Sequence, residues 1–160
     1  MATEKLKFKL ELYAIMWDRP PHAEIMINDK SCFKGNIIGT EEKPDVIEFE
    51  HELEEGKEYN IIINRSGKIV NQTVINDKGD VLKDQLLHIK SIEIDEIDIG
   101  ALVYEGVYTP EYPEPWASQQ RKAGKELQES FKNVTAMGHN GKWSFKFVSP
   151  FYMWLLENLY

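Results

Sequence analysis

Apolar and polar residues alternate along most of this chain, and the alternation changes phase at defined places. Leu6, Phe8, Leu10, Leu12, Ala14 and Met16 take every second position of residues 6–17, with Lys7, Lys9, Glu11 and Tyr13 between them. Side chains of a strand point in turn to its two faces, so this segment predicts a long strand with one buried face. Pro20-Pro21 ends it, and Ala23, Ile25 and Ile27 form a second alternating strand closed by the turn residues Asn28-Asp29-Lys30. Joined this closely, the two are expected to pair antiparallel. Further strands are predicted over residues 33–38, at Ile47 and Phe49, and at Tyr59, Ile61 and Ile63. A turn at residues 53–57 precedes the last of these, and a polar hairpin at residues 64–68 follows it. Residues 70–75 with Asp77-Lys78-Gly79-Asp80 suggest a short ribbon.

Residues 86–100 carry the clearest signal. Leu87 and Ile89 share one parity, Ile92 and Ile94 take the other, and Ile97 and Ile99 return to the first. Each change of parity needs a bulge, a bend or a strand end, here near Lys90-Ser91 and near Asp95-Glu96. Strands at roughly 10-residue spacing with turn chemistry between them indicate a β-sandwich or barrel.

Beyond Gly100 the texture changes. Residues 101–107 are apolar. Residues 108–116 then combine three prolines with the aromatics Tyr108, Tyr112 and Trp116, which predicts an extended strap unable to join the middle of a sheet. Ala123, Leu127 and Phe131 at four-residue spacing suggest a short amphipathic helix over residues 122–133, weakened by Gly124. His139-Asn140-Gly141-Lys142 is a hairpin signal, followed by the alternating strand residues Trp143, Phe145 and Phe147, which are expected to be buried. Residues 151–160 are apolar to the last position and read as either an edge strand or a short helix begun at Pro150.

Composition narrows the function classes. A chain of 160 residues with 42% hydrophobic and 29% charged residues suits one domain that buries roughly 70% of its unfolded surface. The formal net charge of −8 argues against phosphate backbones and anionic membranes as partners. Cys32 is the single cysteine, so an internal disulfide and a cysteine zinc cluster are excluded; a buried, inert thiol is expected. The start has no apolar run of signal-peptide length, and no later run approaches the ~20 residues of a membrane span. The glycosylation sequons at Asn64, Asn71 and Asn133 matter only in a secreted protein.

No constellation specifies a reaction. His22, His51, His88 and His139 are scattered without ligand spacing, and Gly-x-Ser-x-Gly and glycine-rich phosphate loops are absent. A non-enzymatic role is expected. Among Glu93, Asp95, Glu96 and Asp98, the last three, gathered near a parity change, could offer oxygen ligands to calcium; solvent-facing charges that protect a sheet edge explain them without a ligand and are the favoured reading. The exposed-aromatic candidates for binding a partner are Tyr108, Tyr112 and Trp116 of the strap, Trp17, and Trp154 and Tyr160 near the C-terminus.

The strand order, with Lys-Leu-Glu-Leu-Tyr-Ala, a Pro-Pro turn, Ala-Glu-Ile-Met-Ile-Asn-Asp and the segment at 86–100, resembles the jelly-roll of small calcium-dependent xylan-binding carbohydrate modules over roughly residues 5–100. The second half, with Tyr-Thr-Pro-Glu-Tyr-Pro-Glu-Pro-Trp ending at Trp116, Gly-His-Asn-Gly-Lys-Trp-Ser-Phe and the run from Pro150 to Tyr160, resembles a family of small proteins of tailed phages of marine cyanobacteria. The expected fold is therefore an all-β, jelly-roll-like β-sandwich with an extended Pro/aromatic strap and a C-terminal β-hairpin. Residues 1–107 would form the sandwich core, and residues 108–160 the strap, helix and hairpin packed on it. The phage resemblance implies a structural or decoration protein of head, neck or tail, made in the host cytoplasm and bound to repeated copies of other virion proteins. The carbohydrate-module resemblance implies, as the alternative, recognition of a host glycan with calcium as a cofactor.

Overall fold

The computed structural model describes residues 2–17, 19–68, 74–75, 77–78, 81–112 and 114–159. Two antiparallel sheets face each other. One has the order β12-β8-β1-β4, with β9 paired to β8; its strands are β1 (Thr3–Ile15), β4 (Asp45–Glu54), β8 (Leu86–Ile94), β9 (Ile97–Asp98) and β12 (Ala136–Met137). The other has the order β11-β10-β13-β5-β2-β3, built from β2 (His22–Ile27), β3 (Lys30–Asn36), β5 (Glu58–Ser66), β10 (Val107–Pro110), β11 (Phe131–Lys132) and β13 (Gly141–Val148). A separate ribbon pairs β6 (Val74–Ile75) with β7 (Val81–Lys83); the remainder of the ribbon predicted there lies outside the described residues. A 3-10 helix (Gly100–Glu105), α1 (Trp116–Lys122) and α2 (Phe151–Leu159) complete the chain.

The alternation read from the sequence fills the space between the sheets. Leu6, Phe8, Leu10 and Leu12 of β1 and Leu87, Ile89, Ile92 and Ile94 of β8 are buried on one side, and Ala23, Ile25, Ile27, Ile61, Ile63, Trp143, Phe145 and Phe147 on the other. Interdigitated inner faces of this kind are the core of a sandwich. Both phase changes in β8 have a structural cause. Glu11 pairs with Ser91 and Leu12 with Ile89, so Lys90 is the extra residue of a β-bulge. Asp95 and Glu96, at φ 52° and 70°, form the tight turn from β8 into β9.

Several expectations are corrected. β1 and β2 do not pair. They lie in opposite sheets, and β2 pairs with β3 and β5. The polar residues 64–66 do not turn the chain: β5 runs through Ser66, with Asn64 facing Glu24 and Lys142. The strap is extended at its start only. Its residues 107–110 are β10, between β11 and β13, with Pro110 at the strand end where no further ladder donor is needed. Pro113 lies outside the described residues, and Trp116 opens α1, so the helix precedes the predicted segment; residues 125–130 have no regular structure. A proline just before the first helical turn sacrifices no intrahelical bond, whereas Gly124, at φ 83°, terminates the helix.

The Asn140-Gly141 signal does not make a hairpin, because β12 and β13 belong to different sheets. Asn140 instead clamps Lys68, accepting from its N–H at 2.9 Å and donating to its carbonyl at 3.0 Å. Glycine follows because a Cβ at 141 would lie 2.4 Å from the Thr109 carbonyl oxygen of β10. Residues 151–159 are a helix: Phe151 and Leu155 of α2 are buried against the sandwich, and Glu4 accepts from the Phe151 N–H at 2.9 Å. Cys32 is half-buried where β3 bulges between Phe33 and Ser31.

Candidate functional site

β10 delivers Tyr108 to the core, where it is 4% exposed. Its hydroxyl donates to the His139 carbonyl at 2.6 Å and accepts from the His139 N–H at 2.9 Å, and burial pushes its pKa up to about 12. The loop carrying His139 is held from below as well. Arg65, 2% exposed, donates through Nη1 to the Met137 carbonyl at 3.0 Å and through Nη2 to the Gln85 carbonyl and Oε1, both at 2.7 Å. Desolvation lowers its pKa to about 10. Lys68 Nζ contacts Asp84 at 2.7 Å and donates to the Gly138 carbonyl. Buried polar groups partnered in this way fix one arrangement of residues 137–140.

Above this floor three rings meet. The His139 ring lies 5.2 Å from Tyr112 and 5.7 Å from Trp116, and Tyr112 and Trp116 are 6.0 Å apart. Tyr112 donates to the Gln128 carbonyl. Ala117, 1% exposed, anchors α1, and the Glu114 carboxylate accepts from Ser118 Oγ at 2.5 Å. Trp116 is 36% exposed. Burial, with Lys68 and Arg65 nearby, lowers the His139 pKa, so its ring is neutral at pH 7. The result is a half-open aromatic surface over a rigid base, with the exposed Glu114–Arg121 pair, 3.8 Å apart, beside it.

The other expected site residues lie elsewhere. Trp17 is half-buried and forms a local bridge with Arg19. Trp154 of α2 packs on Phe145, Phe147 and Phe151, with ring centroids 5.7 to 6.3 Å apart; it is beyond the opposite end of β13 from His139. Tyr160 lies outside the described residues. The Asp95 carboxylate accepts from the Tyr152 hydroxyl, Asp98 Oδ1 accepts from the Gly100 N–H at 2.8 Å, and Glu96 borders a charged groove with Lys7, Glu50 and Glu93. These acids do not converge, and among the described residues no group of three or more His, Cys, Asp or Glu is placed to hold a metal ion.

Sequence reasoning missed His139 as a member of the cluster and Arg65 as its support. Arg65 shares the parity of Tyr59, Ile61 and Ile63, which marks it as inward-facing; nothing in the sequence places His139 beside Tyr112.

Two solved structures of carbohydrate-binding modules align over most of the chain. One, vCBM60 in complex with galactobiose, is 9% identical with a TM-score of 0.46, covering 87% of this chain and 96% of the module. The other, a selenomethionine form of vCBM60 from work linking two families of calcium-dependent modules by circular permutation, is 7% identical with a TM-score of 0.48, covering 88% and 89%. No family model matches the sequence, and no curated protein matches it.

Proposed function

We propose that this protein is a non-catalytic binding module that holds a neutral glycan against Tyr112, Trp116 and His139. The observation that carries this reading is the cluster itself: three rings within 6.0 Å of one another, partly open to solvent, with His139 on a loop locked from beneath. Sugar rings present C–H faces that stack on aromatic faces, and their hydroxyls need donors and acceptors at the rim. Glu114 and Arg121, 3.8 Å apart and both exposed, supply those groups. No nucleophile and base are paired here, and Tyr108, the buried phenol, is committed to His139.

The test is titration with galactobiose and with neutral oligosaccharides of xylose and glucose, followed by tryptophan fluorescence and calorimetry. Binding of one of them is expected, weakened roughly tenfold or more by Trp116→Ala, a loss of about 1.4 kcal/mol. Failure of all of them to bind, or binding unchanged by Trp116→Ala and Tyr112→Ala, would overturn the reading. The second reading, assembly in a phage particle, is favoured by the open face of α2, where Met153 and Leu156 are 61% and 63% exposed. Its check is the detection of this polypeptide in purified particles by mass spectrometry.

A further inference from the structure

The open edge of β4 differs from every other described sheet edge. β9, β11 and β12 are two residues long, and β3 is interrupted by its bulge at Cys32; short or bulged edges resist pairing with other chains. β4 has ten residues, pairs with β1 from Glu54 to Asp45 without a register shift, and has no described strand on its other side. In an antiparallel ladder half of a strand's N–H and C=O groups point away from its neighbour. β4 therefore presents a straight row of these groups over residues 46–53.

β1 shows what such a strand accepts. On the outer face Lys5, Lys7 and Lys9 stand opposite Glu52, Glu50 and Glu48, and Lys5 approaches Glu50 at 3.1 Å. A strand on the free side of β4 would meet the same three glutamates, all exposed. On the inner face Phe49 stacks on Phe8 at 5.2 Å and, like His51, is only half-buried, so an incoming apolar side chain would complete its cover. A second β4 in antiparallel register would set glutamate against glutamate, which is repulsive.

We infer that the β4 edge takes up an extended segment of a partner protein with Lys or Arg at alternate positions and apolar residues between them, extending the sheet by one strand. Strand addition draws affinity from main-chain bonds and selectivity from alternate side chains. The glutamate stripe that bars self-pairing is also what selects this partner.

The test uses the intact protein and a synthetic peptide of alternating lysine and leucine or phenylalanine, patterned on residues 5–10, with a control bearing glutamate for lysine. The lysine peptide is expected to bind, shift the amide resonances of residues 46–53 and slow their hydrogen exchange, and to weaken in high salt. Paired Glu48→Gln and Glu52→Gln substitutions, both at exposed positions, should weaken binding roughly fivefold or more, the size of two lost cross-strand charge pairs; a retained cooperative melting transition and unchanged amide resonances outside β1 and β4 confirm their fold. Equal binding of both peptides, binding that leaves residues 46–53 unperturbed, perturbation of β8 through displacement of β1, or association of the protein with itself through β4 would each overturn the inference, as would no binding.

Discussion

Two residues show how closely this core is built. A Cβ on Gly106 would lie 2.3 Å from the ring atoms Cε2 and Cζ2 of Trp143, itself fully buried, so glycine stands at 106 because an indole occupies the space. Gly106→Ala should lower stability by about 1–3 kcal/mol, the usual cost of overpacking, read as a fall in the urea midpoint with an unchanged slope. Tyr108 makes two hydrogen bonds to the His139 backbone, and Tyr108→Phe leaves that amide and carbonyl buried without the phenol. The expected loss is about 1–3 kcal/mol. The pH dependence has a definite sign. The folded pKa is raised from 10.0 to about 12, so the contribution is fully present below pH 10 and disappears as pH rises toward 12. Phenolate absorbance should therefore show Tyr108 titrating late, and the variant should lose part of the alkaline fall in stability.

At the scale of elements, the outer face of β1 is a lysine row between glutamates. Lys7 faces Glu50 of β4, and Lys9 faces Glu48 while reaching Glu93 of β8 at 3.5 Å. Lys7→Glu would set like charges opposite one another and should cost a few tenths to about 1 kcal/mol, a loss that shrinks in high salt. In the β8-β9 turn Glu96 adopts φ 70°, where glycine is unstrained; Glu96→Gly should leave the melting temperature equal or slightly higher, since relief of strain offsets the added freedom of the unfolded chain. The β8 bulge and this turn were both legible in the sequence, because parity is a local property of a strand. Which sheet a strand joins is not local, and for that reason the alternation of β1 and β2 gave no sign that they separate. Asn140-Gly141 carried hairpin chemistry but answers to a clamp on Lys68 and a close approach to Thr109. The prolines marked Tyr112 and Trp116 as candidates, and the structure brings their rings within 6.0 Å of each other. His139, their third member, depends on a contact across 27 residues, and no spacing rule reaches that far.

The whole molecule is closed by pairing between distant parts of the chain: β13 bonds to β5 along its full length, and β4 and β8 flank β1. This closure buries hydrocarbons and partly covers imidazoles. His51, His88 and His139 sit against Tyr59, Tyr13 and Tyr112, and desolvation is the largest cause lowering the pKa of all three from 6.5. An unfolded chain protonates its histidines near pH 6.5, whereas the folded chain holds these rings neutral to lower pH. Below 6.5 the unfolded state therefore binds more protons, and stability must fall as the pH falls. Urea midpoints between pH 7.5 and 5.5, above the range where carboxylates titrate, should decline, and His139→Gln should remove part of the decline while leaving the alkaline limb unchanged. A midpoint flat across that interval would mean that these rings titrate as they do in water, and that the base beneath Tyr112 and Trp116 is far more open than the packing of Tyr108, Arg65 and Lys68 requires.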